Sequence, residues 1–258
     1  MFASIDATGM AFVMARSTAS GVPMQTQSIS FTLDPNAPED ALAAAARVLA
    51  QPPWKSTIRH VVLSDLLVRY LVVDRPLGVR SLSELELSVN ARFEQAFDLS
   101  VAQWTIAIDA RPCDRQFIAC AMPRPLLTAI KNIFCDDGRC ASIRPFLVCE
   151  LNRRAQQMPQ AGWYAAATDH NLCLIAFAQG RIERIRSLPT AIPTAAEVER
   201  LVARERLLAG DDALEQPTLF SGVLNGSASS ALTRIDSPQW GSKNWSSQDR
   251  MAMAGVWP

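Results

Sequence analysis

Two stretches far apart in the chain carry the same order of elements, and that echo constrains the fold most tightly. Residues 2–33 read as strand, turn, strand, turn, strand, and a helix and a further strand follow. Residues 163–224 repeat the order. A β-β-β-α-β unit must bury a sheet face against packed helices, so two such units point to a duplicated α/β fold in two lobes. With 258 residues and 49% apolar content, the chain can bury a core in each.

In the first unit, apolar runs flank Ala7-Thr8-Gly9, which predicts a hairpin over residues 2–15. "QSISFTL" (27–33) alternates with period two, after a turn at Gly21-Val22-Pro23. The next helix takes Asn36 as its cap and Pro38 in its first turn, with Glu39 and Asp40 complementing its dipole. Gln51-Pro52-Pro53 ends it. Strands follow at 58–63 and 67–73. The strongest helical pattern is 81–97: Ser81 and Glu84 suit a capping box, and Leu85, Val89, Phe93 and Phe97 share a face. Residues 103–109 and 116–121 read as a hairpin, 124–134 as a helix, and 142–148 as a strand that Pro145 moves to a sheet edge.

The second unit has three strands over 163–188, turning at Asp169-His170-Asn171 and Gln179-Gly180. Thr194 and Glu197 suit a second capping box. Val198, Leu201, Val202 and Leu208 form its helix face, and Gly210 ends that helix. Residues 218–224 are a short strand. The expected organisation is a first lobe at 1–160 with a small inserted subdomain at about 81–150. A reduced second lobe covers 161–235, and an irregular tail at 236–258 carries Trp240, Trp245 and Trp257.

Several function classes are disfavoured. Lys plus Arg equals Asp plus Glu at 25 each, so no global charge draws the chain to nucleic acid, and its basic clusters lack interleaved aromatics. No apolar run is long enough to span a bilayer, and the first ten residues do not read as a leader. The six cysteines, at 113, 120, 135, 140, 149 and 173, form no Cys-x-x-Cys, and His60 and His170 complete no zinc pattern. They read as reduced thiols, with Cys135 and Cys140 spaced to pair on oxidation. His60, Ser64 and Asp65 invite comparison with a triad, but strand alternation separates His60 from Ser64. Glu84, Glu86 and Glu94 suit a solvated helix face.

The element order resembles the actin-like ATPase fold, in which two related halves face a nucleotide cleft. Within it, "VVLSDLLVRYLVVDRP", "SELELSVNARFEQAF" with "QWTIAID" after it, and "RIERIRSLP" resemble actin-like assembly proteins of bacterial type IV pili and type II secretion. Those are the PilM family and the cytoplasmic domain of GspL. The resemblance covers about residues 2–224. It implies a cytoplasmic scaffold, peripheral at the inner membrane through its partners. The partner would be a PilN-like or GspM-like membrane protein, with a secretion ATPase and self-association left open. An alternative is a nucleotide-cycling actin-like ATPase or a relative of the sugar and acetate kinases.

That resemblance also sets the residues a nucleotide cleft would use. A hairpin turn of small residues lets backbone N–H groups approach a phosphate, and an Asp can hold hydrated Mg²⁺ beside it. Asp6, Thr8 and Gly9 match the first turn of the family. Asp169 and Asn171 stand in the second, but His170 precedes an Asn where the family has Gly. Ser221 and Gly222 supply one glycine of a usual adjacent pair, with Gly226 beyond. One turn of three keeps the pattern. The expectation is a vestigial cleft with no catalytic residue, no metal and no required cofactor, Mg-ATP being the ligand the turns would take if any.

Overall fold

A computed structural model describes residues 1–15, 23–98, 100–110, 114–209, 218–227, 229–235 and 247–255. The chain begins with β1 (Phe2–Asp6), β2 (Gly9–Ala15), β3 (Pro23–Ser30), α1 (Glu39–Leu49) and β4 (Arg59–Leu63). Next come β5 (Arg69–Asp74), α2 (Leu82–Phe97), β6 (Trp104–Asp109), β7 (Gln116–Pro123), α3 (Arg124–Phe134), β8 (Cys140–Pro145) and α4 (Phe146–Arg153). The second half holds β9 (Gly162–Ala167), β10 (Asn171–Ala178), β11 (Arg181–Pro189), α5 (Ala195–Ala209), β12 (Thr218–Gly222), β13 (Leu232–Arg234) and α6 (Ser247–Ala254).

The echo in the sequence is an echo in the sheets. One five-stranded sheet runs β3-β2-β1-β4-β8 and the other β11-β10-β9-β12-β13. In each, the first three strands form antiparallel hairpins, and the last two join in parallel beside the first. Parallel pairing requires a crossover, which α1 and α5 supply at matching points. The third sheet, β5-β7-β6, is an insert covered by α2: Leu85, Val89 and Phe93 pack on Val73, Phe117, Ala119 and Ala121.

Local signals explain most boundaries. The α5 capping box is complete: Thr194 Oγ1 accepts from the Glu197 N–H at 3.2 Å, and Glu197 accepts from the Thr194 N–H at 2.7 Å. At α2, Ser81 accepts from the Glu84 N–H at 3.2 Å, but Glu84 reaches the Arg80 N–H instead. Gln179 and Gly180 both have positive φ, 52° and 72°, as a tight two-residue hairpin requires.

Some expectations are corrected. Pro38, not Asn36, precedes α1, and no side chain caps that helix, because Asp34 bonds the Asn36 N–H itself. Residues 146–148 begin α4 rather than extending a strand: β8 stops at Pro145, whose missing N–H suits the residue before a helix. The insert proper is β5 to β7, and α3 and β8 return the chain to the first sheet. Residues 247–254 are helix, not irregular tail. α6 lies on β1 and β2 beside α4, with Met251, Ala252, Met253 and Ala254 all buried, so no amphipathic stripe marks it. The turn at 21–22, Cys113, Gly210, Trp240, Trp245 and Trp257 lie outside the described residues.

Candidate functional site

The first turn is closed by the chain itself. Asp6 ends β1, pairs with Gly9 across the hairpin, and its Oδ1 accepts from the Ala7 N–H at 2.7 Å. The N–H groups of Phe31 and Leu33 donate to the Thr8 and Ala7 carbonyls at 3.1 and 2.8 Å. Thr8 is exposed and Gly9 buried. A Cβ at residue 9 would sit 2.6 Å from the Ile29 carbonyl oxygen and 2.7 Å from Gln248 Nε2. The missing side chain of Gly9 therefore makes room for β3 and for the start of α6, where the Gln248 carbonyl also accepts from Ser4 Oγ at 2.8 Å.

The second turn is also spoken for. Thr168 donates its N–H to the Asn171 carbonyl at 2.8 Å, and the His170 carbonyl accepts from the Thr190 N–H at 3.1 Å. Asp169 is half-buried and His170 exposed. Asn171 is buried: Nδ2 donates to Cys173 Sγ at 3.2 Å and Oδ1 accepts from Ser187 Oγ at 2.9 Å.

At the third position, Ser221 is buried with its Oγ 2.6 Å from the Tyr164 hydroxyl. Gly222 has φ +109°, and a Cβ there would lie 2.0 Å from the Ala167 carbonyl oxygen, so close ladder packing of β12 on β9 demands glycine. Gly226, at φ +88°, has open space around it.

Two buried polar clusters, neither assigned by the sequence, pin the lobes together. The first centres on Asp65, just past β4. Tyr70 donates its hydroxyl and Leu147 its N–H (3.0 Å) to Oδ1, and the Cys173 thiol donates to Oδ2 at 3.4 Å. Leu147 lies in the first turn of α4, so Asp65 satisfies an otherwise orphaned donor there. Burial pushes the Asp65 carboxyl up to about 6, against the pull of those three hydrogen bonds. Ser187 Oγ lies 3.1 Å from the Asp65 carbonyl.

The second cluster centres on Glu150 of α4. Oε2 accepts from Arg154 Nε at 2.8 Å and Oε1 from Arg153. Tyr164 and Ser221 of the second lobe reach Oε2 at 3.3 and 3.4 Å. Ser221, one of the expected cleft residues, thus joins the lobes, and Asn171 supports Cys173 and Ser187, which reach Asp65 of the first lobe. His60 stacks on Phe2 and bonds Ser142 Oγ at 3.0 Å, which leaves no triad with Ser64.

Beside the second cluster lies an apolar groove of about 340 Å³ between the insert and α4, walled by Ala107, Ile108, Ile118, Val148, Leu151 and Ile182. Among the described residues, no group of three His, Cys, Asp or Glu side chains is placed to hold a metal, and no helix is long and apolar enough to cross a membrane.

Two sheets of this matching order are those of the actin-like ATPase fold. The chain is similar in structure to a complex of PilM with PilN from type IV pilus biogenesis: TM-score 0.60, 12% identity, 85% of this chain and 80% of that one. It is also similar to the cytoplasmic domain of EpsL, an inner-membrane component of the type II secretion system of Vibrio cholerae: TM-score 0.54, 12% identity, 93% and 90% covered. A Bacteroides thetaiotaomicron protein with the actin-like ATPase fold and unknown function matches at TM-score 0.54 and 10% identity, over 86% and 81%. No family model and no curated protein matches the sequence.

Proposed function

We propose that this chain is an actin-like scaffold of a type IV pilus or type II secretion inner-membrane assembly platform, and that it grips the short cytoplasmic tail of a membrane partner. The observation that carries this reading is the closed first turn. Gln248 and Ile29 fill the space beside Gly9 that its missing Cβ leaves, and the Asp6 carboxylate is taken by the Ala7 N–H. Asn171 and Ser221 are committed to Ser187, Cys173, Tyr164 and Glu150, so the residues present do not fit Mg-ATP. Asp6, Thr8, Gly9, Asp169, Asn171, Ser221 and Gly222 are on this view a vestigial cleft.

The likeness to a PilM–PilN complex and to the EpsL cytoplasmic domain supports the scaffold side. The groove between the insert and α4 offers an apolar seat for a tail, with its wall formed by Val148, Leu151 and Ile108. The chain would be held at the inner membrane by that contact, as a cytoplasmic peripheral protein.

Calorimetric titration with Mg-ATP, and with the cytoplasmic tails of pilus or secretion membrane proteins encoded beside this chain, tests the proposal. The scaffold reading expects no heat from Mg-ATP, and saturable tail binding that Val148→Glu abolishes. Tight Mg-ATP binding that weakens on Asp6→Ala, with no tail bound, favours the nucleotide-cycling alternative.

A further inference from the structure

The two five-stranded sheets end on four outer strands, and three of these are poor templates for further pairing. β11 lies against β5 of the insert. β13 is three residues long. β8 carries Arg144 and ends at Pro145, a charge and a proline of the kind that blunt an edge. β3 is different. It runs for eight residues with no charged side chain, and its one proline stands at the first position. Among the described residues β2 alone packs along it. Its register slips against β2 only at the Pro23 end, so no bulge interrupts residues 25–30.

The ladder with β2 fixes which main-chain groups of β3 face outward. Phe31, just past the strand, donates its N–H to the Thr8 carbonyl at 3.1 Å. In an antiparallel ladder alternate residues bond the same neighbour, so Ile29, Gln27 and Gln25 also turn their N–H and C=O toward β2. Thr26, Ser28 and Ser30 turn theirs away. All three are exposed, and among the described residues no backbone partner reaches those groups. On the other face of the strand, Ile29 packs on the core and Gln27 Oε1 accepts from the buried Trp54 Nε1 at 3.2 Å, which ties that face down.

We propose that two copies of this chain pair through β3, antiparallel about a two-fold axis at Ser28, so that their five-stranded sheets become one continuous sheet. Ser28 then faces its own counterpart, and Thr26 of each copy faces Ser30 of the other. In this register every residue turned outward meets one turned outward, so all their N–H and C=O groups find partners. Cross-strand Thr and Ser hydroxyls pair favourably, and a strand without charge meets no like charge in a copy of itself. A foreign strand would instead be selected by charges or side-chain pockets beside the edge. The two-fold contact is isologous. It uses both β3 edges and leaves the guarded β8 strands outermost, where growth stops.

Sedimentation velocity of the full chain across a range of concentrations tests this. A reversible dimer is expected. Ser28→Lys, which sets two ammonium groups opposite each other, should weaken it at least ten-fold, and so should Ser28→Pro, which deletes an outward N–H that the β2 ladder does not use. Where Ser28→Pro fails to fold, Ser28→Lys carries the same expectation from an exposed position. Ala141→Lys, exposed on β8, should leave the dimer unchanged. Mild oxidation with peptide mapping reads the register. Ser28→Cys should cross-link to its counterpart, because the Cα atoms of a hydrogen-bonded pair lie about 5.5 Å apart. Gln25→Cys should not, its counterpart being about 20 Å away along the strand. A monomer at every concentration overturns the proposal and leaves the edge to a foreign strand. So does a dimer indifferent to Ser28→Lys, a dimer that Ala141→Lys weakens as much, or cross-linking through Gln25→Cys in place of Ser28→Cys.

Discussion

The Cys173 thiol in the second lobe donates to the Asp65 carboxylate in the first, Sγ to Oδ2 at 3.4 Å. With the Tyr70 hydroxyl and the Leu147 N–H, it completes a ring of three donors around a fully buried acid. The two halves of the fold therefore meet at a group whose charge is costly there. Tyr70 and Cys173 are held well above their ordinary pKa values, first by burial and then by the negative field of Asp65, so both stay protonated as donors.

That arrangement makes stability depend on pH with a definite sign. Asp65 titrates near 6 in the folded chain against 3.8 for the free group, so between those values the folded state binds more protons than the unfolded one. The contribution of Asp65 is fully present below about 4 and is lost as pH rises through about 6, a change on the order of 3 kcal/mol. Urea denaturation at pH 4.5 and 7 should show Asp65→Asn flattening that part of the profile relative to the parent chain. An unchanged profile would show that the ring of donors holds the charge without penalty.

Glu150 and Arg154 form a pair in which each side chain is 2% exposed. Removing one partner strands a buried charge, so Glu150→Ala should cost about 3–5 kcal/mol in chemical denaturation. Replacing both, as Glu150→Leu/Arg154→Met, should recover most of that loss, because the dominant penalty is desolvation of the orphan. A double variant as unstable as the single one would show that the hydrogen bonds to Tyr164 and Ser221 carry the energy instead.

Gly222 and Gly226 separate contact from strain. Both have positive φ, but only Gly222 faces backbone, with the Ala167 carbonyl oxygen 2.0 Å from where a Cβ would sit. Gly226→Ala should cost about 1 kcal/mol, the strain of a left-handed alanine. Gly222→Ala adds an overlap that β9 cannot relieve without breaking its ladder, and should cost more than about 3 kcal/mol or prevent folding. Thermal unfolding of the two variants reads the difference.

The duplicated order of elements was legible because it rests on local signals: period-two strands, a hairpin with Gln179-Gly180, a capping box at Thr194 and a Ser81 N-cap. What stayed hidden depends on contacts distant in sequence. Asp65 looks like any acid after a strand, and two of its partners, Leu147 and Cys173, lie 82 and 108 positions later. Ser221 matched a nucleotide motif in type, yet its partners Tyr164 and Glu150 lie 57 and 71 positions away. Gly9 was read as a turn residue whose missing Cβ would admit a phosphate; the atoms beside it come from Ile29 and from Gln248, far along the chain.

The helix that brings Gln248 there is itself testable as a core element. Met251 is 2% exposed and Met253 fully buried, between β1, β2 and α4. Four consecutive residues, Met251 to Ala254, are buried, which is why no periodic stripe betrays the helix. Met253→Ala should lose about 2–5 kcal/mol, as a cavity-forming truncation in a close-packed interior. Leu208→Ala, at a position 61% exposed on α5, should stay within about 0.5 kcal/mol. Guanidinium unfolding of the pair decides whether residues 247–254 are packed as a working part of the first lobe: equal, small effects from both substitutions would mean that α6 does not close over Gly9 in solution.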